Sequence, residues 1–400
     1  VRNHGKLISQ IKPNLKMKTT ALLFAILLLS VAAPVFGQTW GQTSAPTNAW
    51  TAVASSADGT GVVAAGSHFI YTSTDYGSTW TSNNAPNFDW TSVASSADGA
   101  KLVAAGGGAV YTNSGTTWAL AFAAPKDGSS TEQNITSVAS SADGVTLMAA
   151  SSFGDPLYSP KPLLYVSTNS GASWINATNS PPGQPWVSVV SSADGSKLAA
   201  ATTISTLGGS SIFTSTNAGT TWASNTVPLI FSLADSAGGN ELFATGLFGL
   251  LISTNAGSNW TAVLPAPAVN MTNRIACSTN GLVLFGLGRT NIYSSFNGGT
   301  TWATNTAPLT NWSAIAVSAD GLRAAAAVSG GGIYVLQSPS APVLSIALSS
   351  GAVVLSWSAP AFSLQSATHL TDTFSNVSGA TSPYTNAITS PQTYFRLKGN

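Results

Sequence analysis

The sequence predicts an all-β protein: a seven-bladed β-propeller closed by its N-terminal strand, followed by a small β-sandwich. Three observations carry that reading. A glycine-centred phrase recurs seven times, a tryptophan-ended phrase interleaves with it, and the 400 residues are 44% hydrophobic but only 7% charged. Soluble domains ordinarily carry about 25% charged residues. Disordered chains pair low hydrophobicity with high charge, so disorder is excluded. Lys+Arg 14 against Asp+Glu 13 excludes a basic nucleic-acid-binding surface. The single cysteine, Cys277, excludes a disulfide framework and a cysteine-built zinc site.

Met17 reads as the start, followed by Lys18, the apolar run ALLFAILLLSV (21–31) and VFG (35–37). That is the order of a secretory signal peptide, with 1–37 as upstream extension and leader and cleavage near Gly37–Gln38. Spanning a bilayer takes about 20 apolar residues, more than this run offers, and no later segment reads as transmembrane. An uncleaved N-terminal anchor is the alternative. The expected location is secreted or cell-surface. Five of the basic residues (Arg2, Lys6, Lys12, Lys16 and Lys18) precede the cleavage point, which leaves the mature chain at a net charge of −4. Basic partners or cations are slightly favoured over acidic ones.

The propeller is expected over 38–337. WTAVASSADGTGVVAAG (50–66) recurs at 90–106, 135–151 and 186–202, more loosely at 231–246 and 275–288, and again at 312–328. Its turn glycines are Gly59, Gly99, Gly144, Gly195, Gly239, Gly281 and Gly321, spaced by 40 to 51 residues. Each unit reads as strand, DG-type turn, strand, loop, strand, turn, strand, which is four antiparallel strands per blade. The second phrase runs STDYGSTW (73–80), STNSGASW (167–174), STNAGTTW (215–222), STNAGSNW (253–260) and SFNGGTTW (295–302), with a shortened TNSGTTW (112–118). It supplies six tryptophans, and the seventh is Trp40, at the other end of the chain. The last unit therefore borrows its fourth strand from the N-terminus. Ala and Gly steps suit the tapering inner strands. The outer tryptophans are expected to wedge between blades, burying up to about 150–250 Å² each.

SPSAP (338–342) reads as a linker, and 343–400 as a small β-sandwich domain, roughly fibronectin-like, of capping or spacer character, with surface attachment or ligand binding as the alternative.

The S-x-[DN]-x-G-x-[TS]-W phrase resembles the Asp box of bacterial neuraminidase (BNR) repeats. Over about 300 residues the chain resembles the BNR, sialidase-like propellers, including secreted proteins similar to the photosystem II stability/assembly factor family. The box residues are Asp75, Gly77 and Trp80; Asn169, Gly171 and Trp174; Asn217, Gly219 and Trp222; Asn255, Gly257 and Trp260; and Asn297, Gly299 and Trp302. Their expected role is structural. The side-chain oxygen caps the turn, glycine takes φ > 0, and asparagine builds the same turn without a carboxylate for acid–base chemistry.

The resemblance implies that a sialidase would need an arginine triad, a Tyr/Glu pair and an acidic proton donor. Mature arginines are only Arg274, Arg289, Arg323 and Arg396, and glutamates only Glu132 and Glu241. No catalytic residue, cofactor or metal site is assigned; a glycoside hydrolase of the sialidase-like superfamily is the alternative. The expected function is non-enzymatic binding of an extracellular glycan or protein by a monomer.

Loop length places the candidate site. The segments 119–134, 151–162 and 202–211 exceed their counterparts and are expected to form one rim on the face of the second-to-third-strand and inter-blade loops. That rim gathers Lys126, Asp127, Glu132, Asp155, Tyr158 and Lys161, with Asp89 one blade away. Trp50, Trp90, Trp186 and Trp312 read as core rather than sugar platforms, His68 as an isolated loop residue, and Cys277 as a buried hydrophobe.

Overall fold

The S-A-D-G turn shows how the repeat folds. Ser56 Oγ donates to Asp58 Oδ1 at 2.6 Å and accepts from Gly61 N at 2.8 Å, while Thr60 N donates to Asp58 Oδ1 at 3.0 Å. Gly59 closes the turn at φ 74°, a left-handed conformation that a side chain would strain. A Cβ there would also lie 2.8 Å from Arg323 Cβ of a neighbouring unit. Side-chain oxygens thus satisfy the turn's backbone N–H groups, and glycine lets the units approach.

The computed structural model describes residues 39–399 except 115–116, 126–133, 153–162, 178–183, 204–209, 248, 264–273, 338–343, 350–351, 358–361, 370–371 and 388–392. Every described element is a β-strand. Five separate four-stranded antiparallel sheets occupy 90–123, 134–176, 186–227, 230–263 and 275–304. An eight-stranded sheet holds two further groups of four, joined where Asn48 pairs with Gly331 and Ala49 with Ser329. One group comprises Asn48–Ser55, Val62–Gly66, Ile70–Ser73 and Thr81–Ser82. The other comprises Trp312–Val317, Ala324–Gly331, Ile333–Gln337 and the N-terminal strand Thr39–Gln42. In the last pair Trp40 lies opposite Leu336 and Gly41 opposite Val335. The first and last strands of the Thr39–Gln337 unit therefore share one sheet.

The first strand of each group touches the first strand of the next, and the last touches the first. That cyclic stack of antiparallel sheets is a β-propeller. A ring of backbone hydrogen bonds follows the same path. Ala57 N donates to Ala97 O, Ala97 to Ala142, Ala142 to Ala193, Ala193 to Ala237, Ala237 to Thr279, Thr279 to Ala319, and Ala319 back to Ala57, all at 2.7–3.0 Å.

Hydroxyls add a second layer of cross-links. Six first strands carry a bulge near their start, as between Trp50 and Ala52 or Trp90 and Ser92. The bulged threonines reach the neighbouring sheet: Thr51 Oγ1 donates to Trp90 O at 2.6 Å, Thr91 Oγ1 to Ile135 O at 2.6 Å and Thr136 Oγ1 to Trp186 O at 2.9 Å. In return Val138 N, Val189 N and Leu233 N donate to Ser92, Ser137 and Ser188 hydroxyls. Seams between blades are therefore polar at their inner edge without being charged.

The core corrects one expectation about the wedges. Trp50, Trp90, Trp186 and Trp312 are at most 1% exposed, whereas the box tryptophans are only half-buried. Each box ring sits just before an outermost strand and stays partly exposed, so it buries less than a full wedge. Full burial of one indole contributes up to about 4–6 kcal/mol from area alone. Trp40 behaves like the inner set, packed between Phe285 and Trp312 with ring centroids 6.2 Å away in each case. Thr39–Gln337 forms one compact unit.

The C-terminal residues form two three-stranded sheets. One joins Ser345–Ser349, Ala352–Ser356 and Tyr384–Ala387; the other joins Ser375–Asn376, Phe362–Ala367 and Tyr394–Gly399. Leu344, Val353, Leu355, Trp357, Leu364 and Phe395 make their common core.

Candidate functional site

Strand direction divides the charged residues between the two ends of the blades. The S-A-D-G turns and the box turns share one end, since Tyr76 N donates to Thr60 O and Ala218 N to Ser196 O. The second-to-third-strand loops and the inter-blade loops meet at the other end. There Ser67 pairs with Asp89, and His68 N donates to Phe88 O at 2.9 Å. His68 holds φ 71° and stands exposed. Asp89 is likewise exposed on this face. Lys126, Asp127, Glu132, Asp155, Tyr158 and Lys161 lie outside the described residues.

At the turn end, the carboxylates are tied into the backbone. Asp75 Oδ1 accepts from Ser73 Oγ at 2.8 Å and from Thr79 N at 2.8 Å, and Oδ2 accepts from Thr79 Oγ1 at 2.6 Å. Asn169 keeps the same frame: Oδ1 accepts from Ser167 Oγ and Ser173 N, each at 2.9 Å, while Nδ2 donates to Ser173 Oγ at 2.8 Å. Asn217, Asn255 and Asn297 accept in the same manner. Gly77, Gly171, Gly219, Gly257 and Gly299 all take φ between 81° and 88°. The indoles of Trp80, Trp222 and Trp302 donate to the carbonyls of Gly77, Gly219 and Gly299 at 2.9–3.1 Å. Trp174 and Trp260 have no such partner among the described residues.

These bonds set the proton chemistry. Ser56 and Thr60 bonds hold the Asp58 carboxyl down to about 2, and Thr79 and Ser73 bonds hold Asp75 at about 2. Ser192 and Ser196 do the same for Asp194, and hydroxyl and backbone donors lower Asp98 and Asp143. A general acid working near neutral pH needs a proton to give. These turn carboxylates have none.

Two features escaped the repeat reading. Tyr76, inside the first box turn, sends its hydroxyl across the ring closure to Leu336 O and Ala324 O and accepts from Ala324 N at 3.2 Å. Burial raises that phenol to about 12, and Arg323 covers the ring at 4.9 Å. The other is Asp235, which lines a cavity of ≈ 10 Å³, room for about one water and none for a sugar. Burial raises its carboxyl well above the usual range. The aligned repeats do signal it, since Asp235 stands where four other units have serine.

The propeller's arginines do not converge. Arg274 precedes the first strand of its sheet and Arg289 lies in the following second-to-third-strand loop, whereas Arg323 follows a turn glycine at the opposite end. Burial lowers the Arg274 guanidinium. Cys277 is half-buried rather than fully enclosed, and its thiol sits 3.0 Å from Ser278 O.

No protein-family model and no curated protein matches this sequence. Among solved structures the chain is similar to YCF48 bound to D1 peptide, at 16% identity and TM-score 0.55, covering 77% of this chain and 99% of that one. YCF48 from Cyanidioschyzon merolae gives 15% identity and TM-score 0.53 over 74% and 98%. The β-propeller domain of Myceliophteria thermophila Cps50 (Swd1) gives 14%, 0.57, 76% and 100%. At these identities the likeness shows a shared β-propeller fold.

Proposed function

We propose that this chain is an exported, non-enzymatic, seven-bladed Asp-box propeller that binds an extracellular protein or glycan. The observation that carries the reading is the use made of its polar groups. Turn carboxylates, asparagines and inner-strand hydroxyls are bonded into turns and seams, which leaves the loop face opposite the box turns as the place for recognition. The hydrogen-bond ring that returns from Ala319 to Ala57 supports a count of seven blades. The likeness to a propeller recorded with a bound peptide favours a protein partner over a glycan. Location outside the cytoplasm rests on the leader's charge and apolar order.

The test screens the purified mature protein on a glycan array, a peptide display and a glycosidase panel. Expected are retention of a peptide or glycan and no turnover. Replacing Asp127, Glu132 and Asp155 together by alanine should weaken that retention at least tenfold. Unchanged retention removes the rim from the proposal, and turnover of any sugar substrate replaces it with the glycoside hydrolase reading.

A further inference from the structure

Asp235 ends the first strand Ile230–Asp235, at a position repeated around the ring. Sheet register makes it equivalent to Ser55, Ser95, Ser140, Ser191, Cys277 and Val317, each opposite the start of its second strand. The four serines each donate to the carbonyl of the following residue, at 2.9–3.2 Å. Cys277 Sγ makes the same contact at 3.0 Å. An ionised carboxylate has no proton for that bond, whereas a protonated one does.

Among the described residues no cation forms an ion pair with Asp235. Asp235 lines the small cavity together with Val190, Lys197, Leu198, Thr214 and Ser215 of the preceding sheet and Leu242 of its own. The Lys197 ammonium is committed to Gly238 O at 2.7 Å and Asn240 Oδ1 at 2.6 Å. Glu241, the next acid on the same sheet, accepts from Ser236 Oγ. Asp194, in the preceding sheet's turn, is bonded to Ser192 and Ser196. From the following sheet comes the Cys277 thiol, raised by burial and then by the charges of Asp235 and Glu241. Ionising Asp235 therefore puts a negative charge with no ion-pair partner at a position where four sibling units hold a hydroxyl donor.

We propose that Asp235 makes the seam between the 186–227 and 230–263 sheets a pH-sensitive joint, closed when its carboxyl is protonated and loosened when it ionises. The sign follows from proton linkage. Burial raises the folded-state affinity for the proton above that of the unfolded chain, whose ordinary value is 3.8. The folded state then holds a proton that the unfolded state has released. The stabilisation is complete below the unfolded value and is lost as pH rises through the folded one. For one proton the change approaches about tenfold per pH unit in the opening equilibrium.

Hydrogen–deuterium exchange of Leu198–Thr202 and Ile230–Asp235, corrected for intrinsic rates from about pH 4 to about pH 8, reads the joint directly. Wild type should show opening that increases with pH. D235S, which installs the serine of the sibling units, and D235N, a neutral isostere, should both be flat. E241Q should keep the wild-type slope. A flat wild-type profile overturns the proposal, as does a D235N slope equal to wild type or an E241Q profile that goes flat. Should D235S fail to fold, D235N decides alone.

Discussion

Asp75 and Asn169 perform one task with opposite proton directions. Both offer Oδ1 to a serine hydroxyl and a backbone N–H, but Asp75 Oδ2 accepts from Thr79 Oγ1 where Asn169 Nδ2 donates to Ser173 Oγ. A hydroxyl can serve either partner, so the turn survives loss of the charge. Tyr76 is less replaceable. Its hydroxyl bridges Leu336 and Ala324, which belong to strands more than 200 positions away in sequence. Tyr76→Phe should destabilise the propeller by about 1–3 kcal/mol, since a buried backbone N–H loses its acceptor. Urea unfolding of wild type and mutant measures the difference, and an unchanged midpoint would remove Tyr76 from the closure.

Among the described strands, Thr39–Gln42 takes its one pairing from a strand nearly 300 positions later. It pairs with Ile333–Gln337 and brings Trp40 against Phe285 and Trp312. Trp40→Ala should cost about 3–5 kcal/mol, close to Trp312→Ala, because both rings are enclosed. Trp80→Ala should cost visibly less, since its ring is half-buried just before the outermost strand Thr81–Ser82. Denaturant midpoints for the three variants give the ranking. If Trp80→Ala proves as costly as Trp40→Ala, the distinction between inner and outer rings fails. That Trp40 belongs with the last blade was legible from seven turn glycines against six box tryptophans. Which tryptophans bury fully was not legible, because depth across a blade is set by neighbouring sheets.

For the whole molecule, low charge shifts the work of closure to backbone and hydroxyl groups, and pH acts through few residues. Asp58, Asp75 and Asp194 sit near 2 in the folded state, below their ordinary value of 3.8. Their contribution is present above about pH 4 and lost as pH falls through about 2, opposite in sign to Asp235. Thermal unfolding should therefore show a stability maximum near pH 4, with an acid limb that Asp58→Asn weakens; a profile rising steadily from about pH 4 to neutrality would contradict the Asp235 assignment, and an acid limb unchanged by Asp58→Asn would contradict that of Asp58. Of the candidate rim, Asp89 meets Ser67 where the two loop types join. Its other residues lie outside the described residues, in long segments whose sequence lacks the repeat's periodicity. The sequence by itself determined the unit, its turns and the strand that closes the ring, because those follow from local glycine, hydroxyl and alternation rules repeated many times. The tertiary structure alone decided the seams: which threonine reaches which carbonyl, where Tyr76 lands, and that Asp235 lines a small cavity without an ion-pair partner among the described residues. Those contacts join residues about 40 to 260 positions apart, and their energy depends on the dielectric and partners that packing brings together rather than on local pattern.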